Sequence, residues 1–281
     1  MIALAGKTVL LTGASRGIGA SMAIAIAKEG ATVVGLSRSQ QGLAQVQQQI
    51  EAVGGRMIAI PADVSRVSEL STLIKEVKSA AGPIDILINN AAIEIYRAFQ
   101  NYSLDEIQRV LSTNLLAAIE LSRLLLPDML AQQTGHIINI ASLAAKKGHP
   151  YDSIYSASKA GLLMWADAIR QELSGSGVTV STVCPGYVKD QGLLSDTKVH
   201  APRFAGVSMS KDVVAAVIKA IKTDRAEVVL NENAYMTLLT QFLFAVEQFS
   251  PRFGDMVNRW LGVPQLNLKR AEVQSAMVQR S

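Results

Sequence analysis

Short runs of β-branched and aliphatic residues recur along this chain, separated by longer stretches in which apolar positions return every three or four residues. Residues 7–11, 31–36, 56–60, 84–88, 136–140, 178–183 and 226–230 make up the first set. Each is apolar without alternation, as a strand covered on both faces should be. Residues 17–29, 40–53, 66–80, 103–132, 153–174 and 210–223 make up the second set and have helical length. Ser103 with Glu106 reads as a capping box, and Ser65, Ser153 and Ser210 read as N-caps. Strands alternating with helices of this length require right-handed crossovers. The expected fold class is therefore α/β, a doubly wound parallel sheet of seven strands with helices on both faces. Ligands of such sheets bind beyond the carboxyl ends of the strands.

No linker divides the chain. Residues 1–230 read as one catalytic domain, in which the weakly periodic stretch 186–209, too long for a plain connection, is expected to be a lid. Residues 231–281 read as an amphipathic helical extension. Within it, Tyr235, Leu238, Leu239, Phe242, Val246 and Phe249 form an apolar stripe at helical spacing, and residues 256–261 have the same character. This stripe calls for a cover, supplied by the rest of the domain, by a partner subunit or by a membrane surface.

Composition excludes more than it identifies. The apolar fraction of 49% rules out a disordered chain. Net charge is +4, too small to argue for nucleic acid, and +3 of it lies in residues 250–281, where Arg252, Arg259, Lys269, Arg270 and Arg280 outnumber Asp255 and Glu272 and a basic, disordered, solvated end is the simple reading. Cys184 is the only cysteine, which excludes a disulfide framework and makes a reducing cytoplasm the expected compartment. No secretory signal is expected at the start, no run of 18 apolar residues reads as a membrane span, and three scattered histidines argue against a metal.

The first strand runs into Thr12-Gly13-Ala14-Ser15-Arg16-Gly17-Ile18-Gly19, and a helix follows. Gly13 suits a tight turn, Gly17 a close approach of backbone to a pyrophosphate, and Gly19 a close packing of helix on strand. The helix N-terminus then offers N–H groups and a positive dipole end to phosphates. At the end of the second strand, where an NAD site places an acidic residue, stand Ser37 and Arg38. A guanidinium there suits a 2′-phosphate, and Arg16 reaches for the same group, so NADP is favoured over NAD.

Tyr155 and Lys159 stand four apart on one helical face, where an ammonium near a phenol is expected to lower its pKa towards working pH. Ser142 follows the fifth strand at the carboxyl edge, with a hydroxyl to offer a carbonyl oxygen. Asn114 is a polar residue inside the long apolar helix 103–132.

Taken together, these residues resemble the classical short-chain dehydrogenases/reductases over roughly residues 5–230. The match rests on Thr12-Gly13-x-x-x-Gly17-x-Gly19, Asp63-Val64, Asn89-Asn90-Ala91, Asn114, Ser142, Tyr155-x-x-x-Lys159 and Pro185-Gly186. The resemblance implies a Rossmann-like sheet and a catalytic tetrad of Asn114, Ser142, Tyr155 and Lys159 that interconverts a carbonyl and a secondary alcohol. It implies a nicotinamide cofactor held by Gly13, Ser15, Arg16, Gly17, Ile18, Gly19, Ser37, Arg38, Asp63, Val64, Asn90, Ala91, Tyr155, Lys159, Pro185, Gly186 and Val188, with Asn89 stabilising the central strand. Self-association through the helices 103–132 and 153–174, as a dimer or tetramer, is also implied. Two positions depart from the pattern: Ala92 replaces a glycine, and Asp190 stands where a threonine usually contacts the nicotinamide.

For the substrate, Ile93, Glu94, Tyr96, Leu143, His149, Tyr151, Tyr187, Leu193 and Leu194 are the candidate pocket residues, mostly apolar, which favours a hydrophobic ketone, aldehyde or alcohol. The readings that compete with an NADP-dependent oxidoreductase are a catalytically quiet NADP-binding sensor or scaffold, and an isomerase or dehydratase using the same tyrosine.

Overall fold

A computed structural model describes residues 3–192, 199, 201 and 207–278. The apolar runs become β1 (Thr8–Thr12), β2 (Thr32–Ser37), β3 (Arg56–Pro61), β4 (Ile86–Asn89), β5 (Gly135–Ile140), β6 (Val178–Pro185) and, after the short strands β7 (Tyr187–Val188) and β8 (Val207–Ser208), β9 (Glu227–Leu230). The main sheet has seven parallel strands in the order β3-β2-β1-β4-β5-β6-β9. The chain starts in the centre, winds out to β3, then returns past β1 and winds out the other way. This reversal opens a crevice between β1 and β4 at the carboxyl edge.

Covering both faces explains the unbroken apolar strands. Val9, Leu11 and Val33 point to one side, against α1 (Gly17–Lys28), α2 (Gln40–Glu51) and α7 (Ser210–Thr223). Leu10, Val34 and Leu36 point to the other, against α3 (Leu70–Ala81), α5 (Ala117–Ala131) and α6 (Ser153–Glu172). Each such fully buried leucine or valine contributes roughly 1.5–3 kcal/mol relative to an exposed one.

The long helix expected over 103–132 is interrupted. It opens as α4 (Leu104–Leu111) with the Ser103–Glu106 capping box in place, widens into a π-turn at Ser112–Leu116, and resumes as α5. By length and composition Leu104–Ala131 could cross a membrane, although no 18 consecutive apolar residues exist in it. Here Ala117, Leu121, Leu125 and Met129 pack on the sheet. The other expected caps are corrected: Ser65 instead hydrogen bonds Asp63, Asp152 precedes α6, and Met209 precedes α7.

Three helices follow β9: α8 (Ala234–Phe249), α9 (Pro251–Trp260) and α10 (Val263–Val278). The last is not a solvated basic end. Its Val263, Leu266, Asn267, Arg270 and Ala271 are buried, and it lies on the segment after β4, where Gln274 bonds Glu94 and Tyr96. Of the expected stripe on α8, Tyr235, Leu238, Phe242 and Phe249 are exposed, Leu239 is partly exposed at the cleft, and Val246 is half-buried.

Candidate active site

At the end of β1, Gly13 and Gly17 take φ values of +71° and +57°, a region closed to most side chains. A Cβ on Gly19 would collide with the Gly13 carbonyl oxygen, which fixes how closely α1 approaches the turn. Thr12 ties this turn to β4: its hydroxyl oxygen accepts from the amides of Asn90 and Ala91, both at 2.9 Å. The Asn90 amide donates back to the Thr12 carbonyl at 2.9 Å. Asn89 donates to Asn139 at 2.9 Å and so joins β4 to β5.

From this turn a cleft of about 1020 Å³ runs along the carboxyl edge. All the residues expected to hold a nucleotide line it: Gly13 and Ser15 to Gly19, then Ser37, Arg38, Asp63 and Val64 towards β2 and β3, Asn90 and Ala91 after β4, and Pro185, Gly186 and Val188 after β6. Ser15 and Ser37 share a hydrogen bond of 2.7 Å across the gap between the first two strands. Burial tends to raise the Asp63 carboxyl, but hydrogen bonds from Ser65 and the Arg38 and Arg66 charges outweigh it and hold it below its ordinary value. A cradle of left-handed glycines, two arginines and a helix N-terminus with no side-chain cap therefore fits a phosphorylated dinucleotide.

The same cleft continues to Ser142, Tyr155 and Lys159. Ser142 caps the turn after β5, accepting from the Ala144 amide at 3.2 Å. Lys159 is buried, lies 5.7 Å from the centre of the Tyr155 ring, and donates to the Ile140 carbonyl at 2.7 Å. Asn114 is the one tetrad candidate that does not line the main cleft. It sits in the π-turn, which widens the helix enough to present its amide sideways. That amide bonds the N–H and C=O of Ile93, both at 2.9 Å, and donates to Ser158 at 3.1 Å, which in turn donates to the Tyr155 carbonyl at 2.7 Å.

The expected acidification of Tyr155 is corrected. Burial, reinforced by the Glu94 and Asp152 charges, holds its phenol well above the ordinary value, with the Ser142 hydrogen bond in the opposite sense. Burial also brings Lys159 down to about 8. The proton therefore belongs to Tyr155, and Lys159 releases its own more readily than an exposed lysine.

Of the residues expected to form the substrate pocket, Ile93, Glu94, Leu143, His149 and Tyr187 line the cleft. Tyr96 and Tyr151 do not line it; Tyr96 is buried beneath Arg270, whose guanidinium lies 4.0 Å from the ring centre. Leu193 and Leu194 lie outside the described residues. Burial brings His149 down to about 4, so it is neutral at pH 7, and its ring stacks at 6.0 Å on Tyr187. Glu94 and Asp152 form a buried carboxyl pair whose pKa values burial drives upward, most strongly for Asp152. Of the two departures from the family pattern, Ala92 lines the cleft, and Asp190 accepts from the Ser210 amide at 2.8 Å and hydroxyl at 2.6 Å. Asp190 thus anchors the start of α7 to the segment that follows β7, while half of the stretch expected to be a lid lies outside the described residues.

Sequence reasoning missed the extension's share. Met236, Leu239, Leu243 and Phe244 of α8, Val257 and Trp260 of α9, and Arg270 and Gln274 of α10 all line the cleft. For α10 a signal existed: Val263, Leu266, Asn267, Arg270, Ala271 and Gln274 recur at helical spacing.

The family model for the short chain dehydrogenases matches residues 7–198, and the chain belongs to that family. It is 57% identical over 272 residues to the ketoacyl reductase HetN of Nostoc sp. PCC 7120, covering 97% of this chain and 95% of the relative. It is 34% identical over 231 residues to a 3-oxoacyl-[acyl-carrier-protein] reductase of Synechocystis sp. PCC 6803, covering 80% and 93%. Among solved structures, a metagenomic short-chain oxidoreductase in complex with NADP superposes with a TM-score of 0.71 at 32% identity, covering 82% of this chain and 98% of that one. A 3-oxoacyl reductase of Agrobacterium tumefaciens C58 with NADP bound gives 0.74 at 26% identity, covering 81% and 93%. The chain is thus an oxidoreductase of the short-chain type with a nicotinamide cofactor. The Nostoc similarity runs through most of α8–α10.

Proposed function

We propose that this protein is an NADPH-dependent reductase of hydrophobic ketones, and that 3-oxoacyl compounds, named in its relatives, are the first substrates to try. The observation that carries the reading is the placement of Tyr155, with Ser142 and Lys159, in the same cleft as the glycine turn. Residues 1–230 form the catalytic unit in this reading, and 231–281 complete its substrate side.

Gly13, Ser15, Gly17, Ile18, Gly19, Asn90 and Ala91 would hold the phosphates and backbone of the dinucleotide, with Asp63 and Val64 at the adenine end and Pro185, Gly186 and Val188 at the nicotinamide end. Arg16 and Arg38 would hold a 2′-phosphate. Bound there, reduced nicotinamide supplies the hydride for the carbonyl carbon. The chain supplies the proton: Tyr155 donates it to the carbonyl oxygen while the Ser142 hydroxyl donates a hydrogen bond to the same oxygen. A phenol kept protonated by its surroundings suits reduction better than oxidation. Lys159, with its lowered pKa, can return a proton to Tyr155 and orient the ribose. Asn114 holds Ile93 and α6 in register, a structural service to the site.

Exposed Leu104, Leu116 and Met164 on the α4–α6 side support self-association through those helices. The single cysteine suits a reducing compartment and no redox role, being fully buried with its thiol pushed up to about 12.

The test is a ketone panel, including acetoacetyl-coenzyme A and ethyl acetoacetate, run with NADPH and with NADH. Stoichiometric oxidation of NADPH, faster than of NADH, is expected. Tight NADPH binding with no turnover on any ketone would replace this reading with that of a quiet nucleotide-binding protein. Conversion of a substrate without cofactor consumption would point to an isomerase or dehydratase.

A further inference from the structure

The wall of the pocket next to Tyr155 is built from Ile93, Glu94 and Ile95, which follow β4 but belong to no strand. Backbone in such a place needs partners, and here side chains provide them. Asn114 takes the N–H and C=O of Ile93. The Tyr102 hydroxyl donates to the Ile95 carbonyl. Gln274 of α10 does for the next peptides what Asn114 does for Ile93: its amide donates to the Glu94 carbonyl at 3.2 Å and accepts from the Tyr96 N–H at 2.8 Å. One turn earlier on α10, buried Arg270 lies on the Tyr96 ring and reaches the Glu94 carboxylate at 3.3 Å. Asn267 completes the clamp by donating to the Pro150 carbonyl at 3.0 Å, on the loop that leads to Tyr155.

We propose that Gln274 and Arg270 are positioning residues for the substrate, holding Ile93–Tyr96 so that this wall and Glu94 face the ketone beside Tyr155. The extension then acts as a working part of the active site, and substrate recognition depends on a helix more than a hundred residues away in sequence. The kinetic part of this inference rests on the reductase reading; the structural part does not.

The test uses the full chain with NADPH bound. Gln274→Met keeps the half-buried volume and removes both hydrogen bonds; Leu268→Ala, on the outer face of α10, is the control. Hydrogen exchange followed by mass spectrometry is expected to show the peptide over 93–97 exchanging about tenfold faster in Gln274→Met, with the β1–α1 peptide unchanged. KM for ethyl acetoacetate should rise by a similar factor, about tenfold, with kcat and NADPH affinity little altered. Arg270→Lys, which keeps the charge but loses the flat stacking surface, should raise KM less. Unchanged exchange at 93–97 in a folded Gln274→Met protein would overturn the proposal. So would a loss of NADPH affinity as large as the rise in KM, since that would mean general loosening. If the wild-type chain reduces no ketone, the reductase reading fails, and the exchange result alone decides whether Gln274 holds the wall.

Discussion

The two halves of the cleft are built in opposite ways. The glycine-turn half is made where strands end: the parallel register of β1, β2 and β4 brings Gly13, Ser37 and Asn90 to one edge, and short bonds from Thr12 and Ser15 tie those strand ends together. The Tyr155 half is assembled from pieces far apart, with Glu94 after β4, His149 and Asp152 before α6, and Arg270 and Gln274 from α10. The first half tolerates little change in shape because backbone touches backbone. The second is held by side chains and charges, so it can be retuned one residue at a time. A family that keeps its cofactor and changes its substrates needs this division.

The largest effect expected from breaking either half comes from Tyr155→Phe. Turnover should fall about 10²- to 10⁴-fold while NADPH affinity stays unchanged, measured by stopped-flow absorbance and by fluorescence titration. A comparable loss of both would make the ring a structural element shared by the two halves.

Next is the buried ion pair. Arg270→Met leaves Glu94 without its cation in a buried site and should cost about 3–5 kcal/mol in urea unfolding. Adding Glu94→Gln should recover most of that loss. A single variant as stable as wild type would show that the pair contributes nothing to holding α10.

Arg38→Ala addresses the other half. NADPH affinity should fall about 10- to 100-fold, NADH affinity should not, and the ketone KM should stay as it is. Equal losses for both nucleotides would remove Arg38 from the 2′-phosphate.

The most gradual effect, and the smallest within any one pH unit, is on stability against pH. Burial pushes His136 down to about 4, with Asp224 opposing, and burial brings His149 to about 4 as well. The unfolded chain binds these protons near pH 6.5 and the folded chain only near 4. Stability is therefore full above pH 6.5 and falls as pH drops towards 4, by about 1 kcal/mol per pH unit for each histidine. His136→Gln, in the core beside Ser181, should flatten that slope in thermal melts across this window. An unaltered slope would mean that other groups carry it.

The same division explains what could be read in advance. The seven strands of the main sheet were legible because being buried on both faces leaves an unbroken apolar run, as in Val33-Val34 and Ile137-Ile138, whereas the two-residue strands β7 and β8 are too short to leave a pattern. Gly13, Gly17 and Gly19 were legible because backbone conformation and crowding leave glycine as the residue that fits. The π-turn at Ser112–Leu116 left no such trace, since it follows from where Asn114 must reach rather than from local preference. The raised pKa of Tyr155 comes first from its burial and then from the Glu94 and Asp152 charges, and nothing in Tyr-x-x-x-Lys reports on any of these. Helix α10 escaped because it turns Asn267, Arg270 and Gln274 inward, so its buried stripe is half polar and looks like a solvated end.

Helix α10 also sets an order of events during synthesis. A growing chain can complete β9, and with it the whole parallel sheet, before the ribosome has reached codon 274. Such a nascent molecule should already grip dinucleotide yet leave the other side of the cleft unfinished until α10 has emerged. A frameshift that spared the sheet would then yield a protein that titrates the cofactor pool without reducing anything.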